Sequence, residues 1–136
     1  QSGQLKMIPR HGRTVSNAMG IEGWDIFFAD GHTESQMIPL LRHPNGTTTA
    51  FMADLLPSTG HIPLAYVMGY DTRPLLTLDE KKLFLDTAAD EEWVLFLEHD
   101  AVNVITLGAR TLPAQVTTRP ESVRSHRRVS VFLSNR

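Results

Sequence analysis

The sequence predicts an α+β fold, with a mixed sheet and helices packed on one of its faces. Three observations lead there. Short apolar runs of strand length recur along the chain and are closed by turn residues. One segment near residues 77–92 carries helical signals. That segment lies between two such runs, a β–α–β order that lays a helix on a sheet. The chain has 136 residues, of which 41% are hydrophobic, enough for one domain with a real core.

The elements follow in order. Leu5 to Ile8 is a short strand candidate that ends at Pro9. Gly12, Asn17 and Gly20 mark turns. "DIFFAD" (25–30) is short and aromatic-rich and is closed by Gly31, as a buried strand would be. "QMIPLLRH" (36–43) is a further strand. Its Pro39 cannot donate to a ladder, which predicts an edge or a bulge there. Pro44-Asn45-Gly46 is a turn signal and predicts a hairpin from residues 37–42 to 47–53. Residues 56–74 hold three prolines and two glycines with no sustained period, and read as a long structured loop.

Thr77 and Glu80 have the spacing of a capping box, and Asp79 suits a helix N-terminus. Leu78, Leu85, Ala88 and Ala89 then share one stripe, with the helix ending near Glu92. "WVLFLEHD" (93–100) and "NVITLGA" (103–109) are strands. Beyond residue 110 no clear period returns until 129–133.

Composition narrows the chemistry. With no cysteine, disulfides and thiolate metal sites are excluded, so any metal must take His, Asp, Glu or backbone oxygen. The net charge of −2 gives no reason to expect nucleic acid. No stretch reaches the ~20 apolar residues of a membrane span, and no secretory leader opens the sequence. The expectation drawn from these is a cytoplasmic chain that does not bind a membrane. Charge is uneven: residues 101–136 hold one acid, Glu121, and six of the arginines.

Three apolar runs each deliver a potential metal ligand at or near their carboxyl end. "FFADGHTESQ" gives His32, "TAFMADLLPS" gives Asp54 and "WVLFLEHD" gives His99. They lie 22 and 45 residues apart, so no single helix joins them. Only neighbouring strands of a sheet could bring them together, and ligands gather beyond the carboxyl ends of such strands. Imidazole nitrogen and carboxylate oxygen suit a hard or borderline divalent cation. Asp30, Glu98 and Asp100 flank these residues and read as salt-linked or turn-capping groups. His11, His43 and His126 have no convergent context and read as surface residues.

These elements resemble those of the metallo-β-lactamase-fold hydrolases. Gly31-His32-Thr33 looks like the family's G-H-T element, and Ala53-Asp54 like its A/G-D element. "FLEHD" is similar to its closing strand, and the long segment "MADLLPSTGHIPLAYVMGYDTRPLLTLDEKK" to one branch of generic metal-dependent hydrolases. The likeness runs from about Trp24 to Asp100. Thr33 is followed by Glu34-Ser35 where the family often has Pro-Gly, and the family's H-x-H-x-D-H signature is absent.

The resemblance therefore implies the C-terminal half of an αββα sandwich over residues 1–110. Residues 111–136 would form a divergent or partly disordered Arg-rich tail. It implies two divalent metal ions, zinc before manganese or iron, with His32, Asp54 and His99 as ligands. Asp54 would bridge the metals and orient a metal-activated hydroxide for attack on an ester, lactone, thioester or similar bond. His61 and Tyr66 are candidate contacts to a small-molecule substrate. The remaining ligands would come from a missing N-terminal half or a companion chain, and this fragment alone would be inactive. Two alternatives stand beside this reading. One is a non-catalytic half-lobe that oligomerises or binds a partner through its exposed sheet face. The other is a mononuclear site built from the three ligands alone.

Overall fold

The computed structural model describes residues 3–106, 115–118 and 128–130. The fold is α+β: one mixed sheet with a helix on one face. The strands are β1 (Thr14–Val15), β2 (Trp24–Ala29), β3 (Gln36–Arg42), β4 (Thr48–Phe51), β5 (Val94–Phe96), β6 (Asn103–Thr106), β7 (Gln115–Thr118) and β8 (Arg128–Ser130). They are ordered in the sheet as in the sequence. All neighbours are antiparallel except β4 and β5, which the long helix α1 (Pro74–Asp90) connects.

Because β2 is antiparallel to β3 and β3 to β4, strands β2, β4 and β5 all point the same way. Their carboxyl ends share one edge of the molecule. β2 is buried from Asp25 to Ala29 because both of its faces are covered. Phe27 and Ala29 join Ile38, Leu40, Ala50, Met52, Leu95 and Leu97 under α1. Ile26 and Phe28 pack on the other side with Ala18, Ile8, Val15 and Trp24. In the main core, Phe84 of α1 meets Phe27 and Trp93 edge-on, with ring centroids 5.1 and 5.5 Å away. Such ring pairs contribute about 0.5–1.5 kcal/mol each beyond area burial.

The second face is less covered along β3–β5. Met37 is about half exposed. Leu41, Phe51, Val94 and Phe96 are only partly buried, and the Phe51 and Phe96 rings tilt together at 5.2 Å.

The hairpin forms where turn chemistry predicts it. Gly46 supplies the φ of +85°, and its amide bonds to His43 O. Pro39 sits inside β3, opposite Ile26 of β2. The Arg42 amide points to Gly23 on the β2 side, so odd-numbered residues of β3 turn their amides toward β4. The β3–β4 ladder covers only Leu40 to Arg42. The proline thus removes a donor just where pairing stops, and needs neither an edge nor a bulge.

Three expectations are corrected. Residues 5–8 form no strand, and Leu5 and Met7 stand in solvent; the first strand is β1. The helix starts at Pro74, not after Thr77, with proline in the first turn where its missing amide costs nothing. Thr77 and Glu80 are therefore helical and buried, and the buried face is Thr77, Glu80, Lys81, Phe84 and Ala88. Of the expected stripe, Ala88 is buried, and Leu85 and Ala89 pack at the core margin. The boundary at residue 110 and most of the 111–136 tail lie outside the described residues.

Candidate functional site

Each of the three parallel strands continues three residues past its last paired position to a candidate ligand. β2 ends at Ala29 and leads to His32; β4 ends at Phe51 and leads to Asp54; β5 ends at Phe96 and leads to His99. Phe51 and Phe96 are register partners, so Asp54 and His99 leave the sheet side by side. The Met52 amide bonds to Phe96 O and carries the pairing one step further.

The three side chains meet. His99 Nε2 lies 3.0 Å from Asp54 Oδ1, and His32 Nε2 lies 3.5 Å from Asp54 Oδ2. The carboxylate thus has one imidazole at each oxygen. His32 is nearly buried, Asp54 is a third exposed and His99 is mostly exposed. Ala53, just before Asp54, has φ of 45°, a left-handed backbone that is costly for a residue with a Cβ. Among the described residues no group of three or more His, Asp or Glu takes the form of a metal centre. By donor chemistry, two imidazole nitrogens and a carboxylate still suit a divalent cation.

His32 is held by parts that the sequence did not advertise. Its Nδ1 lies 2.8 Å from Asp71 Oδ1, and its ring stands edge-on to Tyr70. The Thr72 amide bonds to His32 O and the Arg73 amide to Gly31 O. The Thr72 hydroxyl donates to both of these carbonyls.

From the other side, the buried Glu80 carboxylate accepts the Asp30 and Gly31 amides at 2.9–3.0 Å. It also takes a bond from the Arg13 guanidinium at 2.7 Å. Hydrogen bonds to an ionised group are worth about 1.5–3 kcal/mol each. Glu80 therefore contributes more here than it could as a local cap, which is why the expected box does not form.

Lys81, the next residue, is also buried. Its ammonium donates to Pro63 O and Tyr66 O at 2.8 Å and to Leu64 O at 3.4 Å. Burial pushes its pKa down to about 8, while the charge of Asp71 acts to raise it. The long loop is thus pinned to α1 through its own carbonyls. Among the other polar residues of the loop, His61 pairs through Nδ1 with Ser58 Oγ at 2.8 Å. The Tyr66 side chain is exposed, and its carbonyl meets Lys81.

The flanking acids have structural partners. Asp30 forms a two-pronged pair with Arg10 and caps the Ser35 amide, and the Arg10 bond holds its pKa well below the usual carboxylate range. Asp100 is desolvated, which would raise its pKa. Bonds from Asn103, Val102 and Thr59 outweigh this and bring it down to about 2. Glu98 is exposed.

The signals for the missed residues were faint. Asp71 lies in "GYDTRP" of the loop, with nothing in the sequence to pair it with a residue 39 positions away. Glu80 read as the second member of a capping box, and Lys81 as an ordinary polar residue of a helix.

No protein-family model and no curated protein matches the chain. Among solved structures, the chain resembles a probable metal-dependent hydrolase from Staphylococcus aureus, with a TM-score of 0.66 at 19% identity. The match covers 74% of this chain and 37% of that one. At this identity the likeness establishes the fold, and the chain spans just over a third of the length of the structure it matches.

Proposed function

We propose that this chain is the C-terminal half of a metallo-β-lactamase-like αββα hydrolase, with its site at the shared carboxyl edge of β2, β4 and β5. The observation that carries the reading is the meeting of His32, Asp54 and His99 around one carboxylate, each delivered by a separate strand of the same direction. The structural neighbour is itself named a probable metal-dependent hydrolase, which supports the same reading.

His32, Asp54 and His99 would hold divalent metal, zinc before manganese or iron. When bound, such ions lower the pKa of a coordinated water toward neutrality and polarise a substrate oxygen. The chain's own contribution is placement. Asp54 offers one oxygen toward each imidazole, so the carboxylate and the two rings would present their donors to one place. The near-burial of His32 keeps water from its ring, while exposed His99 leaves the site open on its outer side. His61 and Tyr66 belong to the loop that would flank a small ester, lactone or thioester substrate.

Three donor groups are few for a dinuclear centre, so the reading requires further ligands from an N-terminal half. The partly covered apolar face of β3–β5, with its Phe51–Phe96 pair, is where such a half would pack. The same face favours the second reading, a non-catalytic lobe that associates through it.

The test is metal analysis and hydrolase assay, with an ester and lactone panel, of this chain completed by an N-terminal half, whether from the same gene product or a companion chain. The expected result is about two divalent ions per site, and hydrolysis that Asp54→Ala abolishes. A metal-free, inactive oligomer on gel filtration would overturn the hydrolase reading in favour of the interaction module.

A further inference from the structure

We propose that Asp71 is the positioning residue of His32: it accepts the Nδ1 proton and so fixes the imidazole with Nε2 turned to Asp54. The proposal rests on the site reading above and adds a residue to it.

The distances decide which carboxylate owns the ring proton. Asp71 Oδ1 lies 2.8 Å from Nδ1, within hydrogen-bond range, whereas Asp54 Oδ2 stands 3.5 Å from Nε2, beyond it. A neutral imidazole carries one N–H, and the shorter contact takes it. Nε2 is then a lone pair aimed at the carboxylate that His99 approaches from its other side. Metal-binding histidines are oriented in this way, with the second ring nitrogen donating to a carboxylate.

The Asp71 side chain is only 1% exposed. Its Oδ2 is buried with no hydrogen-bond partner. A carboxylate in that position costs free energy unless it is offset. The bond to His32 offsets part of this cost, and the neighbouring Lys81 cation offsets more. A role as a mere loop fastener does not explain the arrangement. The Thr72 and Arg73 amides already tie this loop to His32 O and Gly31 O. What the Asp71 side chain adds is control over the ring.

The experiment is long-range 1H–15N correlation spectroscopy of the protein labelled on histidine nitrogen. It is run at about pH 7.5, above the ordinary imidazole pKa and below the Lys81 value of about 8, on wild type, Asp71→Ala and Asp71→Asn. His32→Gln assigns the signal. The expected wild-type ring is protonated on Nδ1. Asp71→Ala moves the proton to Nε2, and Asp71→Asn, which keeps an acceptor oxygen, preserves the wild-type pattern. A wild-type ring protonated on Nε2 overturns the proposal, and does so even where Asp71→Ala fails to fold. An unchanged ring in folded Asp71→Ala overturns it too.

Zinc titration against a chelator, with this chain joined to an N-terminal half, adds a second readout. Loss of the carboxylate in Asp71→Ala should weaken zinc binding by about 10–100-fold, and equal affinity would overturn the role of Asp71 toward the metal. A wild-type protein with no zinc affinity sinks the hydrolase reading instead, and the role of Asp71 is then decided by the proton position alone.

Discussion

Gly31 lies so close to Thr77 that a Cβ on the glycine would fall 2.4 Å from the Thr77 backbone nitrogen. The obstacle is helix backbone and cannot rotate aside as a side chain would. Gly31 also precedes His32, and its amide is held by Glu80. Gly31→Ala is therefore expected to push α1 off the end of β2 and cost more than about 3 kcal/mol, the upper end of ordinary overpacking. Urea denaturation of the variant checks this; a midpoint equal to wild type would mean that the helix can yield.

Ala53 shows the opposite relation between backbone and residue type. Its φ of 45° penalises a Cβ, by about 1–2 kcal/mol for an ordinary L-residue. Glycine removes that penalty but makes the unfolded chain freer, by about 0.4–1 kcal/mol. The net expectation for Ala53→Gly is a gain of about 0.5–1 kcal/mol, seen as a rise of a few degrees in thermal midpoint. A fall in the midpoint would show that the left-handed turn before Asp54 is not strained.

Asp100 predicts an acid limb in stability. Its folded pKa of about 2 lies below the ordinary value of 3.8. A depressed carboxylate stabilises the fold above its unfolded value, and the contribution fades as pH falls through the folded one. The window is thus pH 4 down to 2, and the amount is about 2 kcal/mol. Asp100→Asn should lose about that much at neutral pH and flatten the curve of urea midpoint against pH inside the window. Equal slopes for both proteins would rule Asp100 out as the source.

Much of this molecule was legible because local chemistry agreed with the fold. The β3–β4 hairpin could be read because Asn45-Gly46 demands a turn whatever surrounds it. β2 could be read because its four successive buried residues Ile26 to Ala29 leave a continuous apolar run. His32, Asp54 and His99 stood out because each breaks such a run abruptly. The helix start was misplaced because Thr77 and Glu80 have the spacing of a cap, yet Glu80 satisfies amides fifty residues away. Residues 5–8 are mostly apolar but find no strand to pair with. Asp71 could not be seen, since its only cue is a histidine that folding brings near. Buried Lys81 was hidden by type, because a lysine on a helix ordinarily faces water.

The shared direction of β2, β4 and β5, with three steps from each last paired residue to its donor, makes the sheet edge a gauge for chain length. One residue inserted at any of these exits would carry that donor forward by about 3.3 Å and reverse the side it faces. Exchanges of one apolar residue for another deeper in the strands would leave the gauge unchanged. Natural variants of this domain should therefore drift freely in strand composition while holding the spans 29–32, 51–54 and 96–99 at fixed length.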